Sequence, residues 1–184
     1  MLRRMFGATF FDAHTYEEIE ADPSSMVQAV AVVLLVTLGA IAGGLVGEIR
    51  GQATFLEIIL EVGFGLAFGI LRWALWVTIV FMVGAGLLRT HHTETSWTEM
   101  GRILGFALTP GLLAVFSGVP FFDWVFVWVA VFWSLAAAVL GVRQGMDYES
   151  TGRAMLVVAI SGLIAVIPLG LTLTLELRFF DLLM

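Results

Sequence analysis

The sequence predicts an all-α integral membrane protein, a bundle of five transmembrane helices with flanking amphipathic interfacial helices. Apolar residues make up 60% of the 184 residues and charged residues only 13%, and the mean hydropathy is +1.00. A soluble domain has about 45–50% apolar and about 25% charged residues. Uncharged runs of about 20 residues recur along the chain, and each is long enough for one crossing of the hydrocarbon core. The bilayer is therefore the expected solvent.

The N-terminal residues 1–25 are predicted to form a cytoplasmic amphipathic segment. Thr15 is placed to cap a helix, because Glu18 follows three residues later as in a capping box, and Asp22 and Pro23 end that helix. The apolar stretch that follows the first two arginines is too short for a secretion signal. We therefore expect this segment to stay on the mature protein as a short surface helix.

The first span is predicted over residues 26–46, an uncharged run that Ser25 opens with Gln28 three positions later. Residues 47–61 are predicted to form an interfacial amphipathic helix, since Glu57 and Glu61 lie four apart on one helical face.

The second span lies within residues 62–88, a run that only Arg72 interrupts. We expect this span to begin near Arg72, where an arginine can reach the headgroups and avoid the cost of a charge at the bilayer centre. Trp73 and Trp76 fit the aromatic belt at the same interface.

Residues 103–142 are too long for one span and have Asp123 as their only charge. A turn at residues 118–120 divides them into a short third span and a fourth span that begins at residue 121, with Asp123 at the membrane surface. The fifth span follows at residues 154–175, which closes a membrane domain of residues 26–175, and residues 176–184 are predicted to form an amphipathic tail.

The arginines predict a cytoplasmic N-terminus. With five spans, six arginines fall on the inner side and three on the outer side, which agrees with the positive-inside rule. The inner set is Arg3, Arg4, Arg89, Arg102, Arg143 and Arg153, and the outer set is Arg50, Arg72 and Arg178. We therefore expect a multi-pass protein of the cell membrane with its C-terminus outside.

The amino-acid composition limits the catalytic groups, metal ligands and partners that the protein can have. The chain has no cysteine, which excludes disulfides, thiolate nucleophiles and thiolate metal ligands. No serine–histidine–acid set, phosphate-cradling loop or HExxH motif is apparent, so we predict no enzyme, catalytic residue or cofactor. His91 and His92 are interpreted as loop residues, because helical neighbours point about 100° apart and do not converge on one metal ion. The net charge is −6 with no basic run, so nucleic acid is not an expected partner.

Two features of the spans indicate close helix packing. Gly39, Gly43 and Gly47 recur every four residues and let another helix approach, either within the chain or from a second chain. Pro110 follows Thr109 inside the third span, where proline removes a backbone donor. A packing kink is the favoured interpretation, and a free carbonyl that binds a neighbour or an ion is the alternative.

Several short stretches match one known pattern: the polar loop of residues 96–102, Gly105-Phe106 with Pro110, Val142-Arg143-Gln144, Arg153-Ala154, and Tyr16-Glu17-Glu18 before Asp22-Pro23. Together they resemble the Yip-one domain family, the Ypt/Rab-interacting membrane proteins, in its prokaryotic form. The resemblance implies a five-span fold with a cytoplasmic N-terminus. The Asp-Leu-Tyr-Gly motif of eukaryotic relatives is not found in this sequence, so the resemblance does not imply Rab binding.

We therefore expect a non-enzymatic protein of the lipid bilayer that binds or scaffolds other membrane proteins as a homo- or hetero-oligomer. The candidate helix-packing or partner interface is Gly39, Gly43, Gly47, Gly105, Phe106 and Pro110. The candidate cytoplasmic loop contacts are Trp97, Glu99, Arg102, Arg143, Tyr148 and Arg153. One alternative is a transporter of small solutes or lipids with a polar cavity near Thr109 and Pro110. Another is an accessory subunit of a respiratory or photosynthetic complex, in which the aromatic fourth span would face a pigment or quinone.

Overall fold

The computed structural model describes residues 1–48, 54–91 and 93–183, and over these residues it contains helices and no strand. The helices, in chain order, are α1 Leu2–Thr9, α2 Ala13–Ala21, α3 Ser25–Glu48, α4 Phe55–Phe81, α5 Trp97–Ala107, α6 Asp123–Gly145 and α7 Thr151–Leu183. A π-helical turn, Met82–Leu87, continues α4, and a 3₁₀ helix, Thr109–Gly118, follows α5.

Four helical segments are long and apolar enough to cross a membrane: Ser25–Leu45, Phe55–Leu87, Asp123–Gly145 and Thr151–Phe179. The pair formed by α5 and the 3₁₀ helix, bent by 41°, makes a fifth if it is counted as one span. The prediction of an all-α, multi-pass membrane bundle is confirmed.

The broken pair runs beside α3 over most of its length. A methyl group added at Gly105 would lie 2.7 Å from Ala29 Cβ, and one added at Gly111 would lie 2.7 Å from Val36 Cγ1. Further along α3, a methyl group at Gly43 would lie 2.4 Å from the Ala114 carbonyl oxygen. Because both elements progress in the same direction, the bend changes the path of the broken helix without reversing it. The 3₁₀ winding also lengthens this short segment, since it rises about 2.0 Å per residue against about 1.5 Å in an α-helix.

Pro110 and Thr109 explain the bend. Proline at position 110 cannot donate to the Phe106 carbonyl, which an α-helix would require. The Thr109 hydroxyl donates to that carbonyl instead, at 2.6 Å. The carbonyl is therefore already satisfied, which favours the packing kink over an ion-binding carbonyl.

The helix of the second span begins well before Arg72, and the entry of this helix into the bilayer near Arg72 stays a prediction. The hydroxyl of Thr54 and the carboxylate of Glu57 form a capping box that starts α4 at Phe55, so Arg72 lies well inside a continuous helix. Its guanidinium forms a salt bridge with Glu176 of α7, which neutralises a charge that the helix otherwise could not hold there. Of the predicted interfacial helix at residues 47–61, residues 49–53 lie outside the described chain and the part from Phe55 onward is the start of α4. The predicted tail after residue 175 likewise continues α7 as far as Leu183.

The N-terminal segment holds two helices where the sequence predicted one. The cap of α2 is Asp12, whose side chain accepts from the His14 N–H, so the predicted Thr15 cap is wrong. The Thr15 hydroxyl instead donates to the Asp12 carboxylate at 2.6 Å. Ser25 opens α3 as predicted, and its buried hydroxyl donates to the Ile19 carbonyl at 2.8 Å, which fixes α3 to α2.

Candidate partner-binding surface at the polar end of the bundle

Tyr148 joins two polar loops at one end of the bundle. It is 3% exposed, and its hydroxyl donates to the carbonyls of Gly84 at 2.8 Å and Leu88 at 3.2 Å. Burial raises the pKa of Tyr148, so the hydroxyl stays a hydrogen-bond donor. The loop turns back at Asp147, whose φ of 51° lies in the left-handed region. The link between α6 and α7 is therefore fastened to the end of the π-helical turn.

Arg153 strengthens this junction from the first turn of α7. Its guanidinium lies 5.8 Å from the centre of the Tyr148 ring and donates to the Leu88 carbonyl at 3.2 Å. A cation over an aromatic face is favourable, and the second donor leaves the Leu88 carbonyl fully bonded. The side of Arg153 away from Tyr148 is exposed to the surroundings.

The start of α5 forms the neighbouring part of this end. The Ser96 hydroxyl accepts from the Glu99 N–H at 3.2 Å, and the Glu99 carboxylate accepts from the Ser96 N–H at 2.7 Å, a complete capping box. The Trp97 indole N–H donates to the Thr78 hydroxyl at 3.0 Å, and its ring packs edge-on against Trp73 at 6.0 Å. This arrangement fixes α5 to α4.

Arg102 lies inside the same end and not on its surface. It is 6% exposed, its guanidinium donates to the Glu20 backbone carbonyl, and it lies 4.0 Å from the Glu99 carboxylate. Arg143 is half-buried near the end of α6, and its Nε has no hydrogen-bond partner among the described residues. Arg102 thus joins α5 to α2.

Carboxylates from three parts of the chain surround Glu20. Burial first, and then the nearby charges of Asp147 and Glu99, raise the pKa of Glu20 to about 7, and Arg102 opposes this effect. Glu17 adds a further negative charge. We call Glu17, Glu20, Glu99 and Asp147 the acidic patch. Over the described residues, no group of three or more His, Cys, Asp or Glu side chains has the geometry to hold a metal ion.

Helices α1 and α2 are packed onto the bundle by hydrogen bonds that the sequence did not predict. The buried Tyr16 hydroxyl donates to the carbonyls of Ala137 at 3.0 Å and Ala8 at 3.3 Å, and the Trp133 indole donates to the Thr9 carbonyl at 2.8 Å. Trp133 lies twelve residues from Gly145, the end of α6, which corresponds to about 18 Å along that helix. The N-terminal helices therefore reach far along the side of α6.

Ion pairs complete this attachment. Arg4 of α1, whose side chain is 12% exposed, lies 3.0 Å from the Glu18 carboxylate and 2.8 Å from the Asp22 carboxylate. The hydroxyl and N–H of Ser24, with Arg4, lower the pKa of Asp22 to about 2. The only signal in the sequence was a pair of arginines placed before a run of acidic residues, which does not reveal which partners meet.

The candidate packing residues are used within the chain. A methyl group added at Gly43 would overlap the 3₁₀ helix, and one added at Gly105 would overlap α3, so both glycines permit contacts between neighbouring helices. Gly39 has more room, since the nearest atom would lie 3.8 Å away. Phe106 and Pro110 are buried. The surroundings of Gly47 lie outside the described part of the structure.

The candidate loop contacts differ in how far their side chains are exposed. Arg102 and Tyr148 are buried in this structure, and their contact with a partner stays a prediction. Trp97, Glu99 and Arg143 are half-buried, and Arg153 is exposed.

The structure also shows the two regions on which the alternative functions depend, the surroundings of Pro110 and the aromatic face of α6. A cavity of about 430 Å³ lies beside Thr109 and Pro110, between α1 and the 3₁₀ helix, and is lined almost entirely by apolar atoms. The aromatic face of α6 points outward, with Trp124, Trp128 and Phe132 all more than half exposed. The polar cavity that the transporter alternative predicted is not found at this position among the described residues.

The helix lengths, apolar faces and packed polar end define a multi-pass α-helical membrane protein. A comparison with protein-family models matches residues 7–172 to the Yip1 domain. The chain therefore belongs to the Yip1 domain family, and the resemblance found in its loops and third span is confirmed. Comparisons with curated proteins and with solved structures give no match.

Proposed function

We propose that this Yip1 domain protein is a non-enzymatic scaffold that binds other membrane proteins through the polar end of its bundle. The observation that supports this proposal is the acidic patch, in which carboxylates from α2, α5 and the α6–α7 loop gather on one rigid surface. Like charges held together raise the local negative potential, which favours a positively charged partner segment. We expect that partner to carry arginines or lysines next to its own membrane span.

The framework beneath the patch supports a binding role. The Tyr148 hydrogen bonds hold the loop that carries Asp147, and the capping box at Ser96 holds Glu99. The buried Arg102 joins α5 to α2, the helix that carries Glu17 and Glu20. A preorganised surface loses less conformational entropy on binding than a mobile loop does.

We also propose that this end faces the cytoplasm and that the broken helix crosses the cell membrane, which gives five spans. The arginine distribution supports the orientation, and the parallel course of α3 and the broken helix supports the crossing. The chain has no cysteine, so an introduced cysteine is the one thiol of the protein that a maleimide can label. In intact cells, an impermeant maleimide should label Asp123→Cys and spare Ser24→Cys and Glu149→Cys. Labelling of all three from outside would contradict this topology.

The scaffold function is tested by mild detergent extraction followed by mass spectrometry of the intact particle. A stoichiometric partner is expected, and it should dissociate when Asp147→Asn and Glu17→Gln are combined. Asparagine tolerates the left-handed backbone at position 147, so the loop should keep its shape. Asp123→Asn changes an exposed carboxylate at the opposite end of α6, so it is the matched control and should keep the partner. Monomers in several mild detergents, or equal partner loss in the control, would contradict the proposal.

A further inference from the structure

A cavity of about 520 Å³ lies inside the bundle, where α3, α4, α6 and α7 face the broken helix. It exists because small residues line it, among them Gly69, Gly111, Ala114, Ala130 and Gly162. Its volume falls within the range of about 300–1,000 Å³ that is typical of small-molecule sites. It is separate from the acidic patch, and no residue of that patch lines it.

Two polar groups in the cavity wall have no partner in the described chain. Trp73 is 6% exposed and its indole N–H makes no hydrogen bond, although its ring is held against Trp97. The Ser134 hydroxyl is buried and also lacks a hydrogen bond. Both residues line the cavity. Buried donors without acceptors are unfavourable. Neither atom is exposed to the cavity as it stands, so a ligand oxygen would remove that cost after a small shift of the side chain.

The other residues that line the cavity indicate which class of ligand it would bind. Among the described residues, Arg72 is the only charged one that lines the cavity, and Glu176 already neutralises it. A charged headgroup is therefore not required, and the other lining residues favour an apolar body. The site fits a molecule with one neutral acceptor oxygen on a hydrocarbon frame.

We propose that this cavity binds an apolar molecule through a carbonyl oxygen that accepts from the Trp73 indole N–H. The carbonyl can belong to the ester of an acyl lipid or to the ring of a quinone. These two sources share the same hydrogen-bond chemistry, and the probes described next distinguish them. The site does not depend on the scaffold function, so either proposal can fail without the other.

The test uses the full-length protein in a mild detergent and native mass spectrometry to measure one-to-one adducts. The probes are methyl oleate, a decyl-substituted benzoquinone and 1-octadecene, which has no acceptor oxygen. At least one carbonyl probe should bind more tightly than 1-octadecene, and the tighter of the two identifies the source. Equal binding of all three probes, or no adduct with either carbonyl probe, would overturn the proposal.

Variants connect binding to the cavity. A Cβ atom at Gly162 would meet no atom within 4 Å, so Gly162→Leu has room to extend into the cavity and should weaken carbonyl-probe binding by on the order of tenfold or more. Gly170→Leu is the matched control, because it lies on the same helix, also meets open space and does not line the cavity. Equal binding by these two variants would place the ligand elsewhere.

Trp73→Phe removes the donor and keeps an aromatic ring. It should weaken carbonyl probes roughly three- to tenfold, the effect of one neutral hydrogen bond, and leave 1-octadecene unchanged. This selective loss does not follow from a general packing defect, which would weaken all three probes alike. Unchanged binding of the carbonyl probes to a folded Trp73→Phe protein would refute the role of the indole.

Discussion

Removal of one hydroxyl group tests how the polar end is held together. In Tyr148→Phe the ring keeps its place against Arg153, and only the donor to Gly84 and Leu88 is lost. The Leu88 carbonyl still accepts from Arg153 at 3.2 Å, so one buried carbonyl, that of Gly84, loses its link to Tyr148. An unsatisfied buried group costs about 1–3 kcal/mol. For a chain of this size, each 1 kcal/mol lowers Tm by about 2–4 °C.

We therefore expect Tyr148→Phe to lower Tm by about 2–12 °C, measured by tryptophan fluorescence in a mild detergent. Tyr148→Ala also removes the buried ring and should lower Tm further. Thr98→Val changes an exposed hydroxyl near the same surface and should shift Tm by less than about 2 °C. A Tm shift of Tyr148→Phe equal to that of the Thr98→Val control, or as large as that of Tyr148→Ala, would contradict this role of the hydroxyl.

Three further predictions follow from the packing and the charges. Burial and nearby carboxylates raise the pKa of Glu20 from 4.5 to about 7, so the folded chain holds this proton more tightly than the unfolded chain and should lose stability as the pH rises through that interval. Glu20→Gln should flatten this part of a Tm–pH curve, and an unchanged curve would contradict the assignment. Gly105→Ala should lower Tm by several degrees because its methyl group would overlap α3, whereas Gly39→Ala should have little effect; the reverse order in thermal unfolding would refute the packing. Arg72→Gln should lower the free energy of unfolding by about 1–3 kcal/mol, measured by chemical unfolding, because Glu176 loses its partner. Adding Glu176→Gln should restore most of this loss. A double variant as unstable as the single variant would contradict the pairing.

The bundle could be predicted from local sequence because the bilayer imposes a strong constraint. Each crossing needs about 20 apolar residues, so uncharged runs predict spans without knowledge of their neighbours. The loop motifs around Trp97 and Arg143 predicted the family, which the match over residues 7–172 confirmed. The kink at Pro110 was also predictable, since a missing N–H acts within its own helix.

Hydrogen-bond partners far apart in sequence could not be predicted. Tyr16 meets Ala137 across 121 positions, and Arg72 meets Glu176 across 104 positions. Nothing near either residue in the chain specifies its partner. For the same reason, local sequence patterns did not indicate that two N-terminal helices pack along α6, or that Arg102 and Tyr148 are interior residues.

Hydrophobic length acts locally along the chain, so the order of amino acids alone specifies an all-α bundle in a membrane. Which polar groups are satisfied within the fold and which are left over depends on how the helices pack against one another. Glycines on α3 and α5 let neighbouring helices pack in direct contact, whereas small residues such as Gly162 leave a cavity between helices. The difference arises because packing depends on what each side chain meets, and those neighbours come from other helices.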